Sequence, residues 1–222
     1  MKDYSLSRAF RNDNRIAAEN IQWAGGKLGY VSLGPSKVEI WGSRSNQSYT
    51  DAVNNTNVNA STSTNWWCYV FEGKSSSYYY HYYNFLWFDT GTLQTQYGIT
   101  ASSIFLVRFW LGTKSIYDFL TSGTTITLNA CVETSPRALT QSVLSSGNYA
   151  NPNNRATFSY QHQPGHIYSL YHIEFTPGAG FKDTFNWTGT TILAFWVTIS
   201  NPSSDLLFGY YTRGGLEVYF HY

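Results

Sequence analysis

Charge is what this chain has least of. Asp, Glu, Lys and Arg make up 12% of the 222 residues and leave a net charge of +1. That is about half the usual charged share. A nearly neutral molecule has no whole-body attraction for nucleic acid or an anionic membrane. The first fifteen residues set Lys2, Arg8, Arg11 and Arg15 against Asp3 and Asp13, far short of a polybasic arm. Cysteine is nearly absent. Cys68 and Cys131 do not make a disulfide framework, and no Cys/His spacing suits zinc. Long apolar runs are missing too: Ile104–Val107 and Ile192–Val197 are too short to cross a bilayer. The N-terminal stretch is charged and offers no apolar core for a secretory signal.

The usual marks of catalysis are also lacking. No G-x-S-x-G elbow, P-loop or dinucleotide fingerprint occurs. The thirteen acidic residues are scattered, with no E-x-D or D-x-E pair. Glu72 and Asp89 are the pair that folding would have to bring together for glycosidase-type chemistry. His162, His166 and His172 run H-x3-H-x5-H, with Glu174 nearby. Six residues of extended strand separate His166 from His172 by about 20 Å, too far for one metal. Exposed strand histidines are the favoured reading. The sequence therefore predicts no enzyme, no cofactor and no metal.

What it has is rings. Aromatics reach 18%, with 19 tyrosines and 8 tryptophans. Such residues fit pleated, half-buried surfaces and also interfaces, where one end of the ring stays wet. Period-2 alternation is widespread. In Gly215–Tyr222, Leu216, Val218, Phe220 and Tyr222 alternate with Glu217, Tyr219 and His221. Further strands are predicted at Gly29–Leu33, Lys37–Trp41, Trp66–Phe71, Tyr78–Phe88, Ile104–Leu111, Thr124–Val132, Arg155–Tyr160, His166–Thr176, Thr190–Ser200 and Leu206–Tyr211. In Ile104–Leu111 the predicted core face is Phe105, Val107, Phe109 and Leu111. Both faces of Tyr78–Phe88 carry rings, so one is expected in a core and the other against a neighbour or ligand.

Between the strands, residues 42–65 read as a long polar loop and residues 89–103 as a second one. Thr212–Gly215 reads as a turn. Ser135-Pro136, with Leu139 and Val143 four apart, predicts a short helix over roughly 136–145. Residues 1–28 stand apart as an arm or short helix, with Leu6, Phe10, Ala17 and Ile21 on one helical face. The expectation is an all-β, antiparallel β-sandwich over residues 29–222, with one or two short helices in connections. No fixed-period repeat appears, which argues against a propeller or solenoid.

The closing segments carry a resemblance. Asp205-Leu-Leu-Phe-Gly-Tyr-Tyr followed by Gly215-Leu-Glu-Val-Tyr-Phe-His-Tyr resembles the last strands of small single jelly-roll coat proteins of icosahedral viruses. The length, the distinct N-terminal segment and the long Asn/Ser/Thr loops are similar as well. The resemblance implies a jelly roll and a virion structural protein, a capsid subunit that self-assembles into a shell. The missing Arg/Lys-rich arm departs from many such proteins and leaves only weak nucleic-acid contact, through Arg8, Arg11 and Arg15. Under this reading Tyr78, Tyr80, Tyr82, Tyr219 and His221 meet neighbouring copies, and the protein resides in the virion. The alternative is a carbohydrate- or receptor-binding β-sandwich, such as a phage fibre head or an extracellular lectin-like domain. It would stack sugars on Trp187 and Trp41, whereas Trp196, flanked by Phe195 and Val197, belongs to a core.

Overall fold

The computed structural model describes residues 19–23, 26–55, 59–63, 68–134, 139–162 and 173–222. In chain order these form β1 (Glu19–Trp23), β2 (Gly26–Leu33), β3 (Lys37–Ser45), α1 (Tyr49–Asn54), β4 (Asn59–Ser63), β5 (Cys68–Ser75), β6 (Tyr78–Asp89), α2 (Thr92–Tyr97), β7 (Ile104–Phe119) and β8 (Thr125–Val132). There follow α3 (Gln141–Leu144), α4 (Gly147–Ala150), β9 (Arg155–Gln161), β10 (Ile173–Glu174), β11 (Thr176–Pro177), β12 (Thr190–Ile199) and β13 (Leu206–His221).

Every pairing among these strands is antiparallel, and two layers result. The first sheet is built on β13. Along one edge it takes β5 at Leu206–Tyr211 and β2 at Leu216–His221, with β1 outside β2. Along the other edge lies β7, flanked by β10. The second sheet runs β4-β3-β6-β12-β8-β9-β11. The β5–β6 hairpin, turning at Ser76 and Ser77, joins the layers. The protein is an all-β sandwich, as its alternating patterns predict. Four of the pairings nest one inside another along the chain: β2 with β13, β6 with β12, β7 with β10, and β8 with β9.

Alternation decides what lies between the layers. Val107, Phe109 and Leu111 from β7 face Leu86 and Phe88 from β6 and Leu193, Phe195 and Val197 from β12, all essentially dry. Phe109 and Phe195, from opposite sheets, stand 6.5 Å apart, and Phe175 touches both. A second, smaller core covers the outer face of the second sheet. There Tyr83, Phe85, Cys131, Ala194 and Trp196 pack under Leu139 and Tyr149 of the 139–150 connection. Trp196 is thus buried, but in this outer core rather than between the sheets. From Tyr83 to Phe88 both faces of β6 are largely covered by the chain itself, where one was expected to await a partner.

Other expectations need correction. Residues 42–65 are not one loop: they contain the end of β3, α1 and β4. Residues 89–103 hold α2 and a 3-10 turn at Ala101–Ser103. Thr212–Gly215 is no turn, because β13 continues through it against β7, with a register shift at Thr212. The glycine there makes room instead: a Cβ on Gly215 would sit 2.6 Å from the Trp110 ring, which lies across it. Finally, Phe105 leaves the core face. A bulge opposite Tyr219 and Phe220 inserts one residue, so parity flips; Ile104 turns inward and Phe105 is 40% exposed. Of the predicted helix over 136–145, residues 136–138 lie outside the described residues, and helical turns occur at α3 and α4. Residues 19–23 and 26–28 are strand rather than helix, with Ile21 paired to Leu28.

One buried carboxylate ties three loops together at one end of the sandwich. Asp205 accepts hydrogen bonds from the Thr121 amide at 3.1 Å, the Thr121 hydroxyl, and the Thr124 hydroxyl at 2.6 Å. Its own carbonyl accepts from the Lys74 amide at 3.0 Å. Gly73 permits that approach: its φ is +101°, and a Cβ there would overlap the Asp205 carbonyl. Burial raises the proton affinity of Asp205, but the threonine donors outweigh it and hold the carboxyl below the usual range.

Candidate interaction surfaces

The five predicted contact residues fall into two clusters near opposite ends of β13. At one end, Tyr219 and His221 project from the outer face of the first sheet. Cross-strand register adds residues that the sequence did not single out. Tyr30, opposite Tyr219, stacks on it at 5.7 Å. Phe105, released outward by the bulge, lies 4.6 Å from His221 and 6.3 Å from Tyr219. The Arg108 guanidinium sits 5.4 Å from the Tyr219 ring and 3.7 Å from Glu174. The Tyr219 hydroxyl donates to Glu217 at 2.8 Å. Burial and that carboxylate push its pKa up, so it stays a protonated donor. Phe105 and His221 are exposed, and Tyr30 and Tyr219 are half-buried.

At the other end, Tyr78, Tyr80 and Tyr82 share one side of β6. Tyr80 meets Phe71 edge-on at 4.3 Å, and Tyr82 leans on Phe71 and Tyr69 at 6.0 and 5.3 Å. Phe71 and Tyr69 alternate with the inward Cys68 and Val70, which places them on the outer face of the first sheet. Tyr82 lies across Gly42, where a Cβ would come within 2.5 Å of its ring. Burial raises its pKa, helped by Tyr80 and opposed by Arg44. Tyr78 is 37% exposed, with the Arg44 guanidinium 4.9 Å from its ring.

Beneath this cluster lies a buried polar knot. Glu72 and His81 are both dry. The His81 Nδ1–H donates to Glu72 at 3.1 Å, the Tyr49 hydroxyl donates to the same carboxylate, and the Tyr82 amide adds a 3.4 Å contact. Burial first, then the Glu72 charge, pushes the Tyr49 pKa far up. His81 Nε2 is buried without a partner in the described structure. Tyr49 opens α1, so the knot pins that helix to the hairpin. Where β5 leaves β6, the Asn84 side chain closes the gap, accepting from the Tyr69 amide at 2.8 Å and donating to its carbonyl at 2.9 Å.

The remaining candidates are dispersed. Trp187 is partly buried and stacks flat on Phe185 at 5.0 Å. Trp41 packs on the second core and donates to Glu39 at 3.1 Å. Glu72 sits in the knot, whereas Asp89 is exposed at the far end of β6. His162 is buried and Glu174 exposed. His166, His172, Arg8, Arg11 and Arg15 lie outside the described residues. Among the described residues no group of three His, Cys, Asp or Glu could hold a metal. Cys68 and Cys131 are buried and unpaired. No family model matches the chain, and no curated protein matches it either.

Proposed function

We propose that this chain is a viral coat subunit, a jelly roll whose copies assemble into a shell by covering one another's ring-bearing sheet faces. The nested pairing of β2 with β13, β6 with β12, β7 with β10 and β8 with β9 supports the jelly-roll half of this reading. It is the order produced when a long hairpin folds over into two facing four-stranded sheets. Such a fold also hosts lectins and enzymes, so the fold alone does not carry the role.

The observation that carries it is the outer face of the first sheet. Tyr30, Phe105, Tyr219 and His221 form one patch there, and Phe71 with Tyr78 and Tyr80 another. Beside the first patch, Arg108 is matched by Glu174. Aromatic surface flanked by matched charges suits repeated contacts between like copies.

Negative-stain imaging and size-exclusion chromatography of the purified full chain test the proposal. Closed shells or ring-like intermediates are the expected result. A monodisperse monomer or a soluble trimer under all salt and pH conditions would contradict it, the trimer pointing to a fibre head instead.

A further inference from the structure

We infer that the depression beside Tyr78 is a binding site for a neutral, hydroxyl-rich ligand, a short saccharide. The site shares Tyr78 with the second aromatic patch, while its other lining residues lie outside the proposed shell contacts.

The depression opens between the end of β3, α1 and the start of β6, and its volume is about 610 Å³. Small-ligand sites span roughly 300–1,000 Å³, so there is space for about one or two sugar rings. Its lining is almost wholly polar and includes Arg44, Asn46, Gln47, Asp51 and Asn54 around Tyr78. The Arg44 guanidinium and the Asn46 and Gln47 side-chain amides make no hydrogen bond to other described residues. They are donors and acceptors left for something else.

The mixture of charges selects the ligand. Arg44 and Asp51 are both exposed on the same rim. An anion drawn to Arg44 would be opposed by Asp51, and a cation would meet the reverse. A hydroxyl satisfies both, because it accepts from the guanidinium and donates to the carboxylate. The amides likewise both donate and accept. Tyr78 adds an exposed ring against which the C–H face of a sugar can lie.

The wall is also fixed before any ligand arrives. The Ser43 hydroxyl donates to the Ala52 carbonyl at 2.6 Å, and the Asn55 amide donates to the Arg44 carbonyl at 3.0 Å. Tyr49 is held by Glu72 from below, and the Asn54 side chain accepts from the Gln141 amide at 3.0 Å. A six-residue helix fastened at so many points presents its polar rim with little ordering left to do.

Saturation-transfer NMR on the full chain tests this, with galactose, mannose, N-acetylglucosamine and lactose as neutral probes and sialic acid as the anionic one. Saturable transfer to at least one neutral sugar is expected. Arg44→Ala should weaken it about tenfold or more, which is what loss of a charge-assisted contact entails, and Tyr78→Ala should weaken it severalfold through loss of the stacking ring. Gln47→Ala, a milder surface change, should weaken it less. Unchanged thermal unfolding of each variant shows that the site, not the fold, was altered. Silence from every neutral probe, a response to sialic acid alone, or binding that survives both Arg44→Ala and Tyr78→Ala would overturn the assignment. Read on unassembled subunits, these outcomes are distinct from whether shells form.

Discussion

Replacing Asp205 with alanine should damage the sandwich more than almost any other polar change. The carboxylate takes three hydrogen bonds from the β7–β8 connection, while its backbone holds Lys74 of the β5–β6 hairpin. Bonds to a charged group contribute about 1.5–3 kcal/mol each. They do not simply add, because the two threonine hydroxyls can find water and the carboxylate no longer has to be desolvated. The Thr121 amide has less freedom. The net cost is about 3–5 kcal/mol, the usual range for breaking one side of a buried charged cluster. At about 2–4 °C per kcal/mol for a chain this long, Tm should fall by roughly 6–20 °C. Asp205→Asn keeps an acceptor and should lose about half as much.

The pH dependence gives a sharper test. Because the folded-state pKa of Asp205 is depressed, its stabilisation is present above the unfolded value, about 3.9, and is lost as pH falls through the folded value. The Tm gap between wild type and Asp205→Ala should therefore be widest near pH 7 and close progressively below about pH 4. Circular dichroism melts from pH 3 to 8 measure it. A gap under about 2 °C at pH 7, or one that does not change with pH, would refute the argument that this carboxylate anchors the loops.

Glu72→Leu should cost about 3–5 kcal/mol in urea unfolding, because it strands the Tyr49 hydroxyl and the His81 Nδ1–H in a dry site. Glu72→Gln should cost less, and equal losses would mean that the carboxylate's charge is immaterial. Burial pushes the Cys131 thiol up to about 12 and raises the Cys68 thiol as well. Both should resist iodoacetamide at pH 8 in the native protein and react promptly in guanidinium; rapid native labelling would contradict the burial. Tyr80→Asp should abolish assembly while lowering Tm by only a few degrees, since Tyr80 is half-buried and meets Phe71 at 4.3 Å and Tyr78 at 6.4 Å rather than a buried core. Intact shells from this variant would remove the β5–β6 hairpin from the interface.

Much of the architecture was legible because alternation is a local signal. Leu216, Val218 and Phe220 point inward as their spacing predicts, with Glu217 and Tyr219 outward. Segments whose conformation depends on a partner were not. The inversion of Phe105 requires a bulge against β13, and nothing within Ile104–Leu111 announces it. The pair Gly214-Gly215 looks like a turn until Trp110 is seen lying over Gly215. The interaction surfaces were half legible for the same reason. Tyr219 and His221 stood out by composition, whereas Tyr30 and Phe105 join them only through register, which a single strand does not encode. Arg44 likewise reaches Tyr78 because β3 pairs with β6 in one register.

The two sheets dispose of their outer faces in opposite ways, and this asymmetry bears on where copies would meet. The outer face of the second sheet carries Tyr83, Phe85, Ala194 and Trp196, and the chain's own 139–150 connection lies over it. Much of the aromatic excess is consumed there, inside one subunit. The first sheet has a comparable row in Tyr30, Tyr219 and Phe105, yet Phe105 and His221 remain exposed. A chain able to cover one such face with its own residues, and leaving the other open, concentrates its free aromatic area on one side. On the coat reading, subunit contacts therefore belong on the β2-β13-β7 face. Charged substitutions at Tyr219 or Phe105 should disrupt shells, whereas the same change at Tyr83 or Trp196 should unfold the subunit before assembly is reached.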